Sequence, residues 1–274
     1  METNVSVIIS TYNQPRWLEK VLWSYEVQTM QNFEIIIADD GSEEETLNLI
    51  NSFKKNSHLK IKHIWHEDDG FQKTKILNKA ILQCDSDYIF MTDGDCVVRN
   101  DMLALHLNTR KKGFFLSGGS FKIPLQTSNE LTKANIIQQE CFTKDWLLTN
   151  GVSKTDKLYK ITAKGIKETL LNKLSPTKAT WDGNNASAWK DDILAINGFD
   201  ERMQYGGEDR EFGERLMNLG VKPIQLRYST KALHLFHERG YVKSEMLITN
   251  KKIRKETKRD KTVFTPYGIK KIRN

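Results

Sequence analysis

The 274 residues suit one large α/β domain, and a hydrophobic content of 38% with 9% aromatics is enough to bury a core, which excludes a wholly disordered chain. The net charge of +7 is uneven: residues 251–274 hold ten Lys/Arg against two acids, or +8, leaving −1 on the other 250 residues. A neutral body disfavours a nucleic-acid-binding surface.

Three cysteines, Cys84, Cys96 and Cys141, with no C-x-x-C spacing give neither a disulfide framework nor a structural zinc site, and imply a reducing compartment. No apolar run approaches the roughly 18 residues of a membrane span. Met1–Asn4 lacks a charged n-region, and Val5–Ile9 is short for a signal peptide. The expectation is a soluble cytoplasmic chain.

Val5–Ser10 is a β-branched run and predicts a buried strand. Residues 16–30 carry Leu18, Val21, Leu22 and Tyr25 at helical spacing. Phe33–Ala38 predicts a second strand ending at Asp39-Asp40-Gly41-Ser42, and Ser42 with Glu45 reads as a capping box opening a helix. Lys60–Trp65 is a third strand. A loop with Asp68-Asp69-Gly70 precedes a helix with Ile76, Leu77, Ala80, Ile81 and Cys84 on one side. Asp87–Thr92 is a fourth strand, ending at Asp93-Gly94-Asp95. This alternation predicts a parallel sheet with helices on both faces, whose ligands sit at the carboxyl ends of the strands. Thr11-Tyr12-Asn13, Asp39-Asp40 and Asp93-Gly94-Asp95 then share one edge.

The second half is less regular. Phe114–Gly119 predicts a short strand, 126–175 two or three helices, and 180–187 a polar loop or strand. Asp191–Asn197 and Glu208–Leu219 predict helices, the second stopped by Gly220. Strands at Pro223–Arg227 and Lys231–Leu235 precede the basic tail.

No G-x-G-x-x-G follows the first strand, and neither a P-loop nor a G-x-S-x-G elbow occurs. Asp93-Gly94-Asp95 could be an ordinary turn, but two carboxylates this close suit Mg²⁺ or Mn²⁺ bridging a diphosphate. Asp40 could accept an N–H from a nucleobase, although acids near Ser42 also favour a helix start. Glu208 and Asp209 open a helix, which satisfies its dipole; they also suit a general base. His234 and His237, three apart, are each a possible metal ligand.

Val5–Asn13, Ala38-Asp-Asp-Gly-Ser and Asp93-Gly-Asp together resemble the nucleotide-sugar half of family 2 glycosyltransferases of the GT-A fold. Trp181-Asp-Gly-Asn-Asn-Ala-Ser, Asn197-Gly-Phe-Asp and the run Tyr205–Leu216 resemble the acceptor half. That half is similar to bacterial chondroitin-type polymerases, polypeptide N-acetylgalactosaminyltransferases and β-1,4-galactosyltransferases.

The resemblance implies a mostly parallel, Rossmann-like sheet. Residues 1–120 would form the nucleotide-sugar half, 121–245 the acceptor and base half of the same domain, and 246–274 a basic tail. Ser10, Thr11 and Tyr12 would contact uridine, and Asp40 the uracil. Asp93 would face the ribose and metal, and Asp95 would bind Mn²⁺ or Mg²⁺ with His234 or His237. Asp209 would be the base and Glu208 would contact a sugar. Trp181, Asn184, Tyr205 and Gly207 would meet the acceptor. Tyr205 stands where relatives usually have Trp. On charge and position alone, Lys75 or its neighbour Lys73 is expected near the diphosphate.

The implied reaction moves a sugar from a UDP-sugar to a hydroxyl of a glycan or lipid-linked glycan, with inversion, in bacterial surface polysaccharide synthesis; a retaining outcome stays open, because the N-acetylgalactosaminyltransferases use a similar frame. The basic tail reads either as a solvated helix with a frayed end or as a reversible contact with the anionic inner face of the cell membrane. A catalytically silent sugar- or nucleotide-binding module is the alternative from another class. A sugar-1-phosphate nucleotidyltransferase is the third; it wants a glycine-rich, Arg-containing loop, and Ser10–Pro15 has no glycine.

Overall fold

A computed structural model describes residues 3–238 and 242–271. The first half alternates strand and helix: β1 (Val5–Thr11), α1 (Pro15–Glu26), β2 (Phe33–Asp39), α2 (Glu44–Asn56), β3 (Ile61–Trp65), α3 (Lys73–Leu82) and β4 (Tyr88–Asp93). Then come β5 (Cys96–Val98), α4 (Met102–Thr109), β6 (Phe114–Ser117) and β7 (Phe121–Lys122). Five short helices follow, α5 to α9 (Leu125–Glu130, Lys133–Ile137, Lys144–Thr149, Tyr159–Thr162 and Gly165–Leu174). The chain continues through β8 (Ala186–Trp189), α10 (Lys190–Ala195), α11 (Glu208–Asn218), β9 (Lys222–Gln225), β10 (Ala232–His234) and α12 (Ser244–Arg259).

The main sheet has seven strands in the order β3-β2-β1-β4-β8-β6-β9. All run parallel except β8, which pairs antiparallel with β4 and β6. The carboxyl ends of β2, β1, β4, β6 and β9 therefore lie along one edge. Alternate residues divide between the two faces: Val5, Val7 and Ile9 pack in a core with α1, and Ile8 packs in a second core with Ile76, Ala80 and Ile81 of α3. A three-stranded sheet, β5-β10-β7, lies beside this edge and brings residue 234 against 96 and 122.

Several local expectations change. The first helix stops at Glu26, because buried Gln28 donates to Ser24 and Arg99 carbonyls and accepts from the Leu103 amide. Ser42 makes no capping box: its hydroxyl accepts from the Asn13 amide at 2.8 Å, and α2 starts after Glu43. Residues 125–174 break into more pieces than expected, since Thr132 and Thr143 each cap a new helix. The tail is no loose appendage. The boundary at 246 falls inside α12, whose Met246, Asn250, Ile253 and Thr257 are buried, and Asn197 donates its amide to the Thr265 and Lys270 carbonyls. Arg273 lies outside the described residues.

Candidate active site

β1 and β4 end side by side, and their register places Ser10 opposite Asp93. The Gly94 amide donates to the Ser10 carbonyl at 2.7 Å. A Cβ on Gly94 would sit 3.0 Å from that carbonyl oxygen and 3.2 Å from Thr11, so the small middle residue allows the two acids to flank the end of β1. Asp93 Oδ1 accepts from Ser10 Oγ and from Lys73 Nζ, both at 2.7 Å. Burial alone would raise the Asp93 pKa, but Lys73 and Ser10 outweigh it and hold the carboxyl below its usual range. Burial likewise pulls Lys73 down, and Asp93, Asp209 and Glu208 together hold it well above. Lys73 is thus a cation surrounded by three acids.

The two acids after β2 differ. Asp39 is fully buried, with one oxygen on the Ser42 amide and the other 2.9 Å from His63 Nε2; it holds the turn. Asp40 lines the pocket, and its oxygens meet His66 Nε2 at 2.8 Å and the Gln72 amide at 3.0 Å. Burial raises its pKa against the pull of those two partners.

Asp95 faces two parallel imidazoles, whose ring centres are 5.3 Å apart. Asp95 Oδ2 is 3.2 Å from His237 Nε2, and Oδ1 is 3.9 Å from His234 Nε2. His234 Nδ1 lies 2.9 Å from the Leu235 carbonyl and His237 Nδ1 lies 3.1 Å from the Glu238 carbonyl. Carbonyls only accept, so both Nδ1 atoms carry a proton, and both Nε2 atoms are turned to the carboxylate of Asp95. Two imidazole Nε2 atoms and a carboxylate are the ligand atoms that a divalent cation takes. The donor set therefore fits a divalent metal, held by Asp95, His234 and His237.

The acid pair lies at the start of α11. Glu208 Oε2 accepts from the Gly206 amide at 2.8 Å and its side chain lines the pocket. Asp209 is packed against Gly183, where a Cβ would be 2.5 Å from Asp209 Oδ1, and that oxygen is buried without a hydrogen-bond partner among the described residues. Burial, followed by the nearby carboxylates of Glu208, Asp93 and Asp182, pushes its pKa up to about 8 against the opposing pull of Lys73. A carboxyl with that affinity for protons is suited to remove one from a hydroxyl.

Ser10, Thr11, Tyr12, Asp40, Lys73, Asp93, Asp95, Tyr205, Glu208, His234 and His237 line one pocket of about 380 Å³. Tyr205 meets Phe71 edge-on, with centroids 5.8 Å apart. Five expected site residues are not on this wall. Asp209 follows Glu208 on α11 and sits behind it against Gly183, within reach of the charges of Lys73, Asp93 and Asp182. Lys75 is absent from the pocket wall because it follows Lys73 by two helical positions, which turns it to the opposite side of α3. Trp181 is fully buried between Phe115 and Phe212, so it is core and no acceptor platform. Asn184 is turned away from the pocket: it donates to Asp182, and its carbonyl accepts from Thr92. Gly207 is the left-handed residue that starts α11, beneath Arg254. Sequence reasoning missed His66 and Gly183, although Gly183 lies inside the Trp181–Ser187 motif.

A family model for glycosyl transferase family 2 matches residues 6–161, and one for the N-terminal domain of galactosyltransferase matches residues 175–238. The chain belongs to glycosyltransferase family 2. The second match covers the segment that carries Gly183, Glu208 and Asp209. Among curated relatives, chondroitin synthase of Escherichia coli is 28% identical over 79% of this chain and 32% of its own length. Validoxylamine A glucosyltransferase of Streptomyces hygroscopicus is 25% identical over 92% of this chain and 60% of its own. The chain spans about a third of the first and three fifths of the second. Two solved structures share the fold at 16% identity. One is a mannosyltransferase from Pyrobaculum calidifontis in complex with GDP-Man and Mn²⁺, with a TM-score of 0.58 over 88% of this chain and 59% of that one. The other is S. aureus TarS in complex with UDP-GlcNAc, with a TM-score of 0.59 over 87% of this chain and 60% of that one.

Proposed function

We propose that this family 2 chain transfers a sugar from a UDP-sugar to a glycan hydroxyl with inversion, dependent on Mn²⁺ or Mg²⁺, in assembly of a bacterial surface polysaccharide. The observation that carries the reading is the convergence, around one pocket, of a metal-suited triad, the Lys73–Asp93 pair and Glu208, with Asp209 of raised pKa directly behind Glu208. The divalent cation would supply charge neutralisation for the departing diphosphate.

The chain's own residues do the rest. Asp40 accepts from the base, while Ser10, Thr11 and Tyr12 form the wall beside it. Lys73 adds a fixed positive charge on the diphosphate side, pre-positioned by Asp93 and Ser10. Glu208, anchored on Gly206, faces the sugar. Asp209 takes the proton of the acceptor hydroxyl as that oxygen attacks the anomeric carbon opposite the leaving group, so no covalent sugar–enzyme species is needed. The basic face of α12 would hold the enzyme reversibly at an anionic membrane surface where a lipid-linked acceptor lies.

The test is incubation with a panel of UDP-sugars, Mn²⁺ and candidate acceptors, reading free UDP and product. Transfer with inverted anomeric configuration supports the proposal. Pyrophosphate release would mark a nucleotidyltransferase, and tight UDP binding with no turnover a binding module. Asp95→Asn should remain folded and lose metal-stimulated turnover by at least about 100-fold, in line with loss of a main transition-state charge contact. Undiminished turnover in that variant would remove Asp95 from the metal site.

A further inference from the structure

The sheet edge that carries the donor pocket continues past it. β6 and β9 run parallel to β4 and end side by side at Ser117 and Gln225, and the Leu226 amide donates to the Ser117 carbonyl at 2.7 Å. The segments leaving these ends are rich in cations. The Arg227 side chain lies across Gly119, where a Cβ would be 3.1 Å from Arg227 Cγ. Lys160 of α8 reaches the next residue, its ammonium donating to the Ser120 carbonyl at 3.2 Å. Lys122 follows on β7, in register with His234 of the metal-suited triad.

Charge at this place is not balanced. Among the described residues, neither Lys122, Lys160 nor Arg227 makes an ion pair, and Arg227 Nε is buried without a hydrogen-bond partner. Burial lowers the Lys160 pKa, and the charge of Arg227, then those of Lys157 and Lys122, lower it further; Asp182 alone among its strong neighbours opposes them. Asp182 in turn feels both Asp93 of the donor pocket and Arg227, so it stands between the two parts of the edge. Several cations gathered around one acid repel each other until an anion arrives.

The geometry points to an acceptor subsite at Arg227, Lys160 and Lys122 for an anionic group, a carboxylate or a phosphate, on the glycan that receives the sugar. The inference rests on the reading of this edge as a transfer site, since that places the acceptor beyond Asp182 from the nucleotide. The ligand requirement is chemical: a planar carboxylate or tetrahedral phosphate suits the Arg227 fork, with Lys160 and Lys122 as point charges around it.

Direct binding tests it without turnover. The probes are a hexasaccharide of alternating uronic acid and hexosamine, a phosphodiester-linked polyol oligomer of similar length, and a neutral hexasaccharide. Binding is measured by calorimetry in the presence of UDP and Mn²⁺ at low and high salt. At least one anionic probe should bind tenfold or more tightly than the neutral one, and the better of the two tells carboxylate from phosphate. The Lys160→Gln/Arg227→Gln double variant should lose that preference, and the exposed Lys122→Gln variant, which removes no packing, should weaken it by severalfold. UDP affinity, read in the same titrations, reports the donor half and separates failure of the transfer reading from failure of this one. Equal binding of neutral and anionic probes, or an unchanged preference in all variants, overturns the subsite. A parallel loss of UDP affinity would assign these cations to the donor diphosphate and overturn it as well.

Discussion

A carboxyl that loses water without gaining a cation of its own becomes a better base and a burden on the fold, and Asp209 shows both. Its pKa is raised to about 8 by burial and by neighbouring acids. An unfolded chain would release this proton near pH 4, the folded chain only near 8, so between those values the folded state holds the extra proton. Stability from this group is then lost as pH rises through that window and levels off above it. Asp209→Asn removes the penalty. In metal-free buffer its melting temperature should gain on the wild type between pH 5 and pH 8, by about 1.4 kcal/mol of relative stability for each pH unit crossed, while transfer is abolished and UDP binding persists. A melting difference that stays flat with pH would contradict the raised pKa. Gly183→Ala makes the complementary case, since its Cβ would lie 2.5 Å from Asp209 Oδ1. Moving a base by about 1 Å costs on the order of 100-fold in rate. This variant should lose kcat to that extent with UDP affinity retained; loss of UDP affinity instead would place Gly183 in the donor half. The sequence shows a glycine in a motif but not which side chain fills the space beside it, because that neighbour is 26 positions further along the chain.

Among the elements, those whose partners are near in sequence were legible. β1, β2 and β4 are β-branched or apolar runs, each followed by a helix or turn, and their register alone puts Ser10, Asp40 and Asp93 at one edge. Of the small sheet only β10 was legible, since β5, β7 and β10 are two or three residues long and paired residues lie up to 138 positions apart. Its pairing nonetheless fixes His234 beside Asp95. Lys75 and Trp181 were misplaced for a related reason: charge and motif membership do not state which way a residue faces. The helix α12 was misjudged most, as a charge run gives no sign of the apolar and amide face beneath it. Asn250 on that face donates its amide to the carbonyls of Gln204, Tyr205 and Gly206, at 2.9, 3.1 and 3.0 Å. It thereby ties the loop that carries Tyr205 and leads into Glu208. Asn250→Ala should cost about 1–3 kcal/mol of stability, as expected for stranding buried carbonyls. It should also raise the acceptor KM more than it alters UDP affinity. An unchanged acceptor KM would leave Asn250 with a purely structural role.

At the scale of the molecule, an almost neutral body carries a +8 terminal segment, and α12 determines how that charge is presented. Met246, Asn250, Ile253 and Thr257 face inward, while Ile248, Lys251, Lys252, Lys255 and Arg259 share the outer face, with Glu245 and half-buried Glu256 along its flank. Ile248 is 69% exposed, an apolar side chain left among lysines. No helix of the described residues is long and apolar enough to cross a membrane. Leu247, one position before Ile248, lies over Gly206 in the loop that carries Tyr205, so a surface docked to this helix lies close to the pocket wall formed by Tyr205 and Glu208. Each basic residue near an anionic leaflet contributes about 1 kcal/mol, and salt screens the attraction within roughly 10 Å at 0.1 M. Truncation after Asn250 would remove Ile253, Thr257 and the Arg254–Glu214 pair, and so would test folding rather than binding. Charge reversal on the outer face avoids this. The wild type should sediment with vesicles containing anionic lipid at low ionic strength and release at high salt. A Lys251→Glu/Lys252→Glu/Lys255→Glu variant should keep its melting temperature within a few degrees and fail to sediment. If it binds as well as the wild type, α12 is a packing element whose lysines serve only solubility.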